Sequence, residues 1–227
     1  MRDTLLFDLD GTLTDTDALH FEAYRRLLAP LGKTITHDDY RHRIMGAANE
    51  AIMSWLFSGE SQTRRLALAE EKESLFRAQL TTIVPTPGLP ALLAWAAQCG
   101  IRTAVVTNAP RANAEAMLGG LGLLHRFEIL VIGDELARGK PDPLPYQTAL
   151  DRLGRKAEHA LAFEDSRSGV QSASRAGIPT IGMTTGLDVA TLRAAGAIAA
   201  IPDFCDPWLG ARLIGDYGSA PGGSVTA

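Results

Sequence analysis

The sequence predicts an α/β fold: a doubly wound, mostly parallel sheet carrying an all-helical domain inserted after its first strand. Three observations predict it. From residue 89 onward short apolar runs alternate with stretches of helical periodicity, the pattern of a parallel sheet with right-handed crossovers. Residues 17–82 show helical spacing with no strand signal, which marks an insertion. Several apolar runs end in polar residues, and open α/β sheets bind ligands beyond the carboxyl ends of their strands.

The first element is the run Leu5-Leu6-Phe7, with Leu9 continuing it. Such an unbroken apolar stretch suits a central strand covered on both faces. Asp8 and Asp10 follow, two apart, so a strand running through them puts both on one face. Carboxylates that close push one another towards protonation unless a cation or donors hold both ionised. Gly11 permits a sharp turn after them.

The inserted block starts with Leu19, Phe21, Tyr24, Leu27, Leu28 and Leu31 at helical spacing, stopped by Gly32. A second helix is expected near 38–44. A third carries Ala51, Ile52, Trp55, Leu56 and Phe57 up to Gly59, and a long charged fourth runs over 61–80. Pro85-Thr86-Pro87-Gly88 ends the block. Helices are then expected at 89–99, 111–119, 146–153, 168–176 and 189–195, and strands at 102–108, 128–132, 160–164, 180–183 and 198–201. The small, polar stretch 218–227 is expected to be a mobile end.

Composition narrows the function. Of 227 residues, 46% are apolar, enough for a sizeable core. The net charge of −4 comes without a basic stripe, so no nucleic-acid partner is expected. Cys99 and Cys205 lie far apart, outside any metal-ligand spacing, which suits a reducing, cytoplasmic setting. Asp3, Asp8 and Asp10 interrupt the N-terminus, so no signal peptide is expected. The longest charge-free run, between Arg77 and Arg102, contains Pro85, Pro87, Gly88 and Pro90, so no membrane span is expected.

Three further strand ends or loops suit a phosphate. Thr107-Asn108 offers a hydroxyl and backbone N–H groups ahead of a helix, although such residues often simply cap helices. In Gly139-Lys140-Pro141-Asp142-Pro143 the prolines stiffen the loop around Lys140. Its ammonium is placed either to neutralise a phosphoryl group or, like most lysines, to sit on the surface. Leu161-Ala162-Phe163 runs into Glu164-Asp165-Ser166. There Asp165 would complete an oxygen-only site with Asp8, the kind magnesium prefers. Glu164 is either a ligand or a support, and Ser166 or Ser168 would cap the next helix.

In order along the chain, Asp8/Asp10, Thr107, Lys140 and Glu164/Asp165 resemble the four motifs of the haloacid dehalogenase-like superfamily, mostly magnesium-dependent phosphatases with a Rossmann-like core. The stretch Glu164-Asp165-Ser166-Arg167-Ser168-Gly169-Val170, and Asp15-Thr16 followed by His20-Phe21, resemble its subgroup with a helical cap. That subgroup includes beta-phosphoglucomutase and many small-metabolite phosphatases. The resemblance spans the chain apart from its C-terminal end. It implies a catalytic core of residues 1–14 and 86–215, a cap of 15–85 and a tail of 216–227.

By the same resemblance Asp8 is the nucleophile and Asp10 the general acid/base. Thr107, Asn108 and Lys140 hold the phosphoryl group. Asp8, Asp165 and the backbone carbonyl of Asp10 hold Mg2+, with Glu164 beside them. Thr16, His20, Gly46, Asn49 and Lys72 are the candidates to reach the substrate from the cap side. Taken alone, His20 reads as a helix-surface histidine, and Lys72, inside Glu70-Glu71-Lys72-Glu73, as part of a solvated face.

The implied reaction is hydrolysis of a small phosphorylated metabolite, a sugar phosphate or similar, through an aspartyl phosphate. The alternatives are a sugar-phosphate mutase and, in another class, a non-enzymatic phospho-acceptor module. The mutase has Gly-x-x-Arg where this chain has Gly46-Ala47-Ala48-Asn49, and a lysine where it has Pro110-Arg111. Both departures weaken a second phosphate grip. The expected partner is the small substrate alone, with the chain a monomer or weak dimer.

Overall fold

The computed structural model describes residues 3–81 and 83–217. Six strands, β1 (Thr4–Phe7), β2 (Arg102–Thr107), β3 (Ile129–Ile132), β4 (Ala160–Glu164), β5 (Thr180–Met183) and β6 (Ala199–Ile201), form one sheet among the described residues. Their order is β3-β2-β1-β4-β5-β6 and every pairing is parallel. The first strand is therefore central. Leu5 and Phe7 pack into a cluster on one face of the sheet and Leu6 into a cluster on the other, which is why the run reads as unbroken apolar sequence.

The inserted segment contains α1 (Asp17–Leu28), α2 (His37–Asp39), α3 (Asn49–Leu56) and α4 (Gln62–Arg77). It has an apolar cluster of its own, built from Tyr24, Leu27, Leu28, Tyr40, Ile44, Ile52, Met53, Phe57 and Leu68. The segments entering and leaving it are tied together. Thr14 Oγ1 donates to the Val84 carbonyl at 2.8 Å, and Thr86 Oγ1 to the Thr12 carbonyl at 2.7 Å. Beyond it come α5 (Leu89–Gln98), α6 (Arg111–Gly120), α7 (Leu144–Leu153), α8 (Arg167–Arg175), α9 (Val189–Ala195) and α10 (Pro207–Tyr217). Among the described residues no helix is long and apolar enough to cross a membrane.

Four details differ from the sequence expectation. The first strand stops at Phe7, so Asp8 and Asp10 stand in the turn beyond it and not on a continuing strand. Only one α-turn forms near 38–44, running into a wide π turn over Tyr40–Ile44. The fourth inserted helix ends at Arg77, short of residue 80. Helix α10 is not foreshadowed by the sequence pattern; its Leu209 and Leu213 join Phe204 in the core under the sheet. The expected tail begins inside this helix, and residues 218–227 lie outside the described residues.

Candidate active site

The strand order reverses at β1, which is flanked by β2 on one side and β4 on the other. A crevice at that switch point is where such sheets bind ligands. A cleft of about 690 Å3, including its open mouth, lies there between the strand ends and the inserted helices.

Asp8 opens the site. Its backbone N–H donates to the Phe163 carbonyl at 3.0 Å, which fixes it beside the end of β4. Lys140 Nζ lies 2.5 Å from both Asp8 Oδ1 and Glu164 Oε1. All three side chains are buried. Burial works against the Lys140 ammonium, but the charges of Asp8 and Glu164 outweigh it and raise its pKa. The lysine is therefore a fixed charge, not a surface group. Asn108 holds its loop, accepting from the Lys140 N–H at 3.1 Å and donating to the Lys140 carbonyl at 3.2 Å. Glu164 also accepts from the Tyr146 hydroxyl at 2.7 Å and from Ser166 Oγ at 3.4 Å.

Asp165 completes the cluster. Gly11 lets it approach: the glycine has φ +73°, and a Cβ there would collide with the Asp165 carboxylate. Oxygens of Asp8, Glu164 and Asp165 all lie within 4.8 Å of one another. Burial holds Asp8 and Asp165 well above the usual carboxylate range. Lys140 counters this at Asp8, and neighbouring anions add to it at Asp165. An oxygen-only, buried, electron-rich set of this kind fits a hard divalent cation. The Asp10 side chain stands outside that set.

Asp10 turns instead towards the inserted helices, accepting from Thr16 Oγ1 at 2.6 Å and from His20 Nε2 at 2.9 Å. Burial pushes its carboxyl up, but the donors His20 and Thr16 more than reverse this, and its pKa is lowered. His20 stacks on Phe76, with ring centroids 3.8 Å apart. Its Nδ1 lies 2.7 Å from Lys72 Nζ. An ammonium has only donors, so Nδ1 accepts and Nε2 carries the proton given to Asp10.

Lys72 is buried, not part of a solvated face. It contacts Glu73 Oε1 and Oε2 at 3.2 and 3.1 Å. Glu73 in turn accepts from Asn49 Nδ2 at 2.9 Å and Asn113 Nδ2 at 2.6 Å. Neither Glu73 nor Asn113 is among the residues expected from sequence. A signal for Glu73 is present: Leu68, Lys72 and Phe76 are four apart, so a stripe drawn through the two apolar residues contains position 72 and adjoins 73.

Of the remaining expected residues, Thr107 lines the cleft, and its Oγ1 accepts from the Ala109 N–H at 2.9 Å. Gly46, at φ +68°, offers its carbonyl to Ser168 Oγ at 2.5 Å, and a Cβ there would strike Ser166. Arg111 pairs with Glu135 and Glu115 at half-exposed positions.

A carboxylate-and-lysine centre thus lies at the switch point of a parallel sheet, roofed by inserted helices, where an open α/β scaffold binds its ligand. The family model of the haloacid dehalogenase-like hydrolases matches residues 5–183, and the chain belongs to that family. It is 37% identical over 206 residues to the phosphorylated carbohydrates phosphatase of Thermotoga maritima, covering 88% of this chain and 94% of that protein. It is 34% identical to the phosphoglycolate phosphatase of Rhodospirillum rubrum, covering 92% of each. The beta-phosphoglucomutase of Clostridium difficile superposes with a TM-score of 0.83, covering 96% of this chain and 98% of that one; at 21% identity this is a likeness of fold.

Proposed function

We propose that the protein is a magnesium-dependent phosphatase of small phosphorylated metabolites, sugar phosphates or similar, acting through an aspartyl phosphate on Asp8. The observation that carries this is the opposite setting of two carboxylates two residues apart. Asp8 faces the buried acidic cluster and Lys140, whereas Asp10 is held by His20 and Thr16. The two carboxyls divide the work by place: Asp8 stands at the cluster that would hold the phosphoryl group, and Asp10 faces the cap, where the leaving alcohol and the incoming water would stand. The names of the Thermotoga and Rhodospirillum relatives support the substrate range.

The residues then act as follows. An Asp8 oxygen attacks phosphorus, the bond from phosphorus to the alcohol oxygen breaks, and that oxygen takes a proton from Asp10. Water next attacks the aspartyl phosphate, Asp10 takes a proton from it, and the bond to Asp8 breaks to release phosphate. The proton gained in the second half replaces the one donated in the first, so each cycle consumes one water. Thr107 and Lys140 hold the phosphoryl oxygens, and Glu164 and Asn108 hold Lys140. Mg2+ held by Asp8, Asp165 and the Asp10 carbonyl, with Glu164 behind them, would keep the acidic cluster ionised and offset phosphoryl charge.

The inserted helices, residues 15–85, serve as a cap that excludes water, hinged where Thr14 and Thr86 tie its two connections. Asn49 is engaged with Glu73 and Arg111 with Glu135, which supports a hydrolase over a mutase. Cys99 and Cys205 are exposed thiols, which suits the cytoplasm.

The test is phosphate release from p-nitrophenyl phosphate and a panel of phosphorylated metabolites, with magnesium and with excess chelator. Release with magnesium and its loss on chelation, without unfolding, is expected. No release from any compound with magnesium overturns the proposal.

A further inference from the structure

The far wall of the cleft holds charges that the reaction does not use. Among the described residues two lysines line the cleft, and no arginine does. Lys140 is engaged by Asp8 and Glu164, and Lys72 by His20 and Glu73. Glu73 thus neutralises the lysine on the cap side. Asp17 adds a further carboxyl to the lining. A second anionic group on a substrate would meet carboxylates there and, among the described residues, no uncommitted lysine or arginine.

The same wall offers neutral polar groups. Glu73 accepts only, so Asn49 must turn its NH2 towards it, which leaves its carbonyl oxygen to accept from a hydroxyl. Tyr24 is 1% exposed and lines the cleft, and its hydroxyl has no hydrogen-bond partner. A buried hydroxyl without a partner is costly, and a substrate hydroxyl would supply one. Burial pushes its pKa well up, so it stays a neutral phenol.

We infer that the cap wall selects phosphomonoesters of neutral polyhydroxy alcohols: Glu73 turns away a second anion, and Tyr24 and Asn49 take up hydroxyls of the substrate tail. This rests on the phosphatase reading above and names its substrate class. It separates two kinds of substrate that share the reacting group: sugar and polyol monophosphates on one side, carboxylate-tailed and bisphosphorylated compounds on the other.

The experiment compares kcat/KM for hexose, pentose and glycerol monophosphates, 2-phosphoglycolate, fructose 1,6-bisphosphate and p-nitrophenyl phosphate. In the wild type the best polyol monophosphate should exceed both anion-tailed compounds by about tenfold or more, the scale of a like-charge contact. Glu73→Gln should raise kcat/KM for 2-phosphoglycolate and narrow that ratio, a gain that structural damage does not produce. Tyr24→Phe removes one oxygen. It should lower kcat/KM for the polyol monophosphate about two- to twelvefold, mainly through KM, and leave p-nitrophenyl phosphate unchanged.

A wild-type preference for 2-phosphoglycolate or the bisphosphate overturns the inference, as does a ratio that Glu73→Gln leaves untouched. If Glu73→Gln does not fold, the wild-type ratios and Tyr24→Phe decide. Failure to hydrolyse p-nitrophenyl phosphate as well would sink the phosphatase reading instead.

Discussion

The two walls of the cleft are built in opposite ways. On the core side, Asp8, Lys140, Glu164 and Asp165 come from strand ends and one stiff loop, and the backbone places them: β1 and β4 are paired Phe7 to Phe163. On the cap side, His20, Lys72, Glu73 and Asn49 come from three helices, whose inward face depends on how they dock. The core wall can therefore hold one chemistry while helix side chains change beneath the cap. Under the proposed function the difference assigns the reaction to strand ends and the choice of substrate to helix faces.

The strongest way to break that comparison is to remove the proposed nucleophile. Asp8→Asn should lower turnover on every substrate by about 10⁴-fold or more, since a group acting as one unit with its neighbours is lost. Folding should hold, because the change is nearly isosteric and Lys140 keeps Glu164 as a partner. Removing one anion from a buried acidic cluster should leave thermal stability equal or higher. Phosphate release assays and melting curves check both halves; a variant retaining a few per cent of turnover would show that Asp8 is not the nucleophile.

Asp10→Asn comes next, with a loss of roughly 10²–10⁴-fold, the usual contribution of general acid–base help. The loss should be smaller on p-nitrophenyl phosphate, whose leaving group needs little protonation. An equal loss on alkyl and aryl phosphates would move Asp10 out of the acid role.

The legibility of the two walls follows the same division. The strands, their order along the chain and the core-wall residues can be read because an apolar run ending in paired carboxylates meets no packing need of its own. Asp8, Lys140 and Asp165 are found together as expected. The cap wall is less legible. In helix α4, Glu70 and Glu71 are at least partly exposed while Lys72 and Glu73 are buried, and Leu66 is 64% exposed. Charge and burial are uncoupled there, so a charged run misleads as a solvated face even though Leu68 and Phe76 mark the inward stripe. Helix α10 escapes the sequence pattern for another reason. Leu209 precedes Gly210 and Leu213 lies two residues before Gly215, close to a stretch of tail-like composition, and only the sheet they cover accounts for them.

Lys72→Ala sharpens the comparison from the cap side. It should lower kcat/KM for the preferred metabolite about tenfold or more and change p-nitrophenyl phosphate little, because Lys72 holds Glu73, and through it Asn49, at the substrate tail. The variant also leaves Glu73 a buried carboxylate without its cation, which costs about 3–5 kcal/mol. Stability should recover in the double variant with Glu73→Gln, while the substrate discrimination should not. Equal kinetic losses on both substrates would reduce Lys72 to a packing role.

The smallest effect expected is on stability, and it belongs to Glu73 alone. Burial opposes its charge, but Lys72, His20, Asn49 and Asn113 more than offset that, so its pKa in the folded protein lies below the ordinary 4.5. A carboxylate with a depressed folded pKa contributes stability that is fully present above its unfolded value and is lost as pH falls through the folded one. Glutamine at this position has nothing to titrate. Carboxylates far from the cap wall titrate alike in both proteins and cancel in the difference. The melting temperature of wild type minus that of Glu73→Gln should therefore be flat from about pH 7 to pH 5 and decline below the 4.5 of the unfolded side chain. Melting curves of the two proteins across that interval measure it. A difference that stays constant to lower pH would mean that the cap wall does not lower the pKa of Glu73 and that its partners give its charge no net stabilisation.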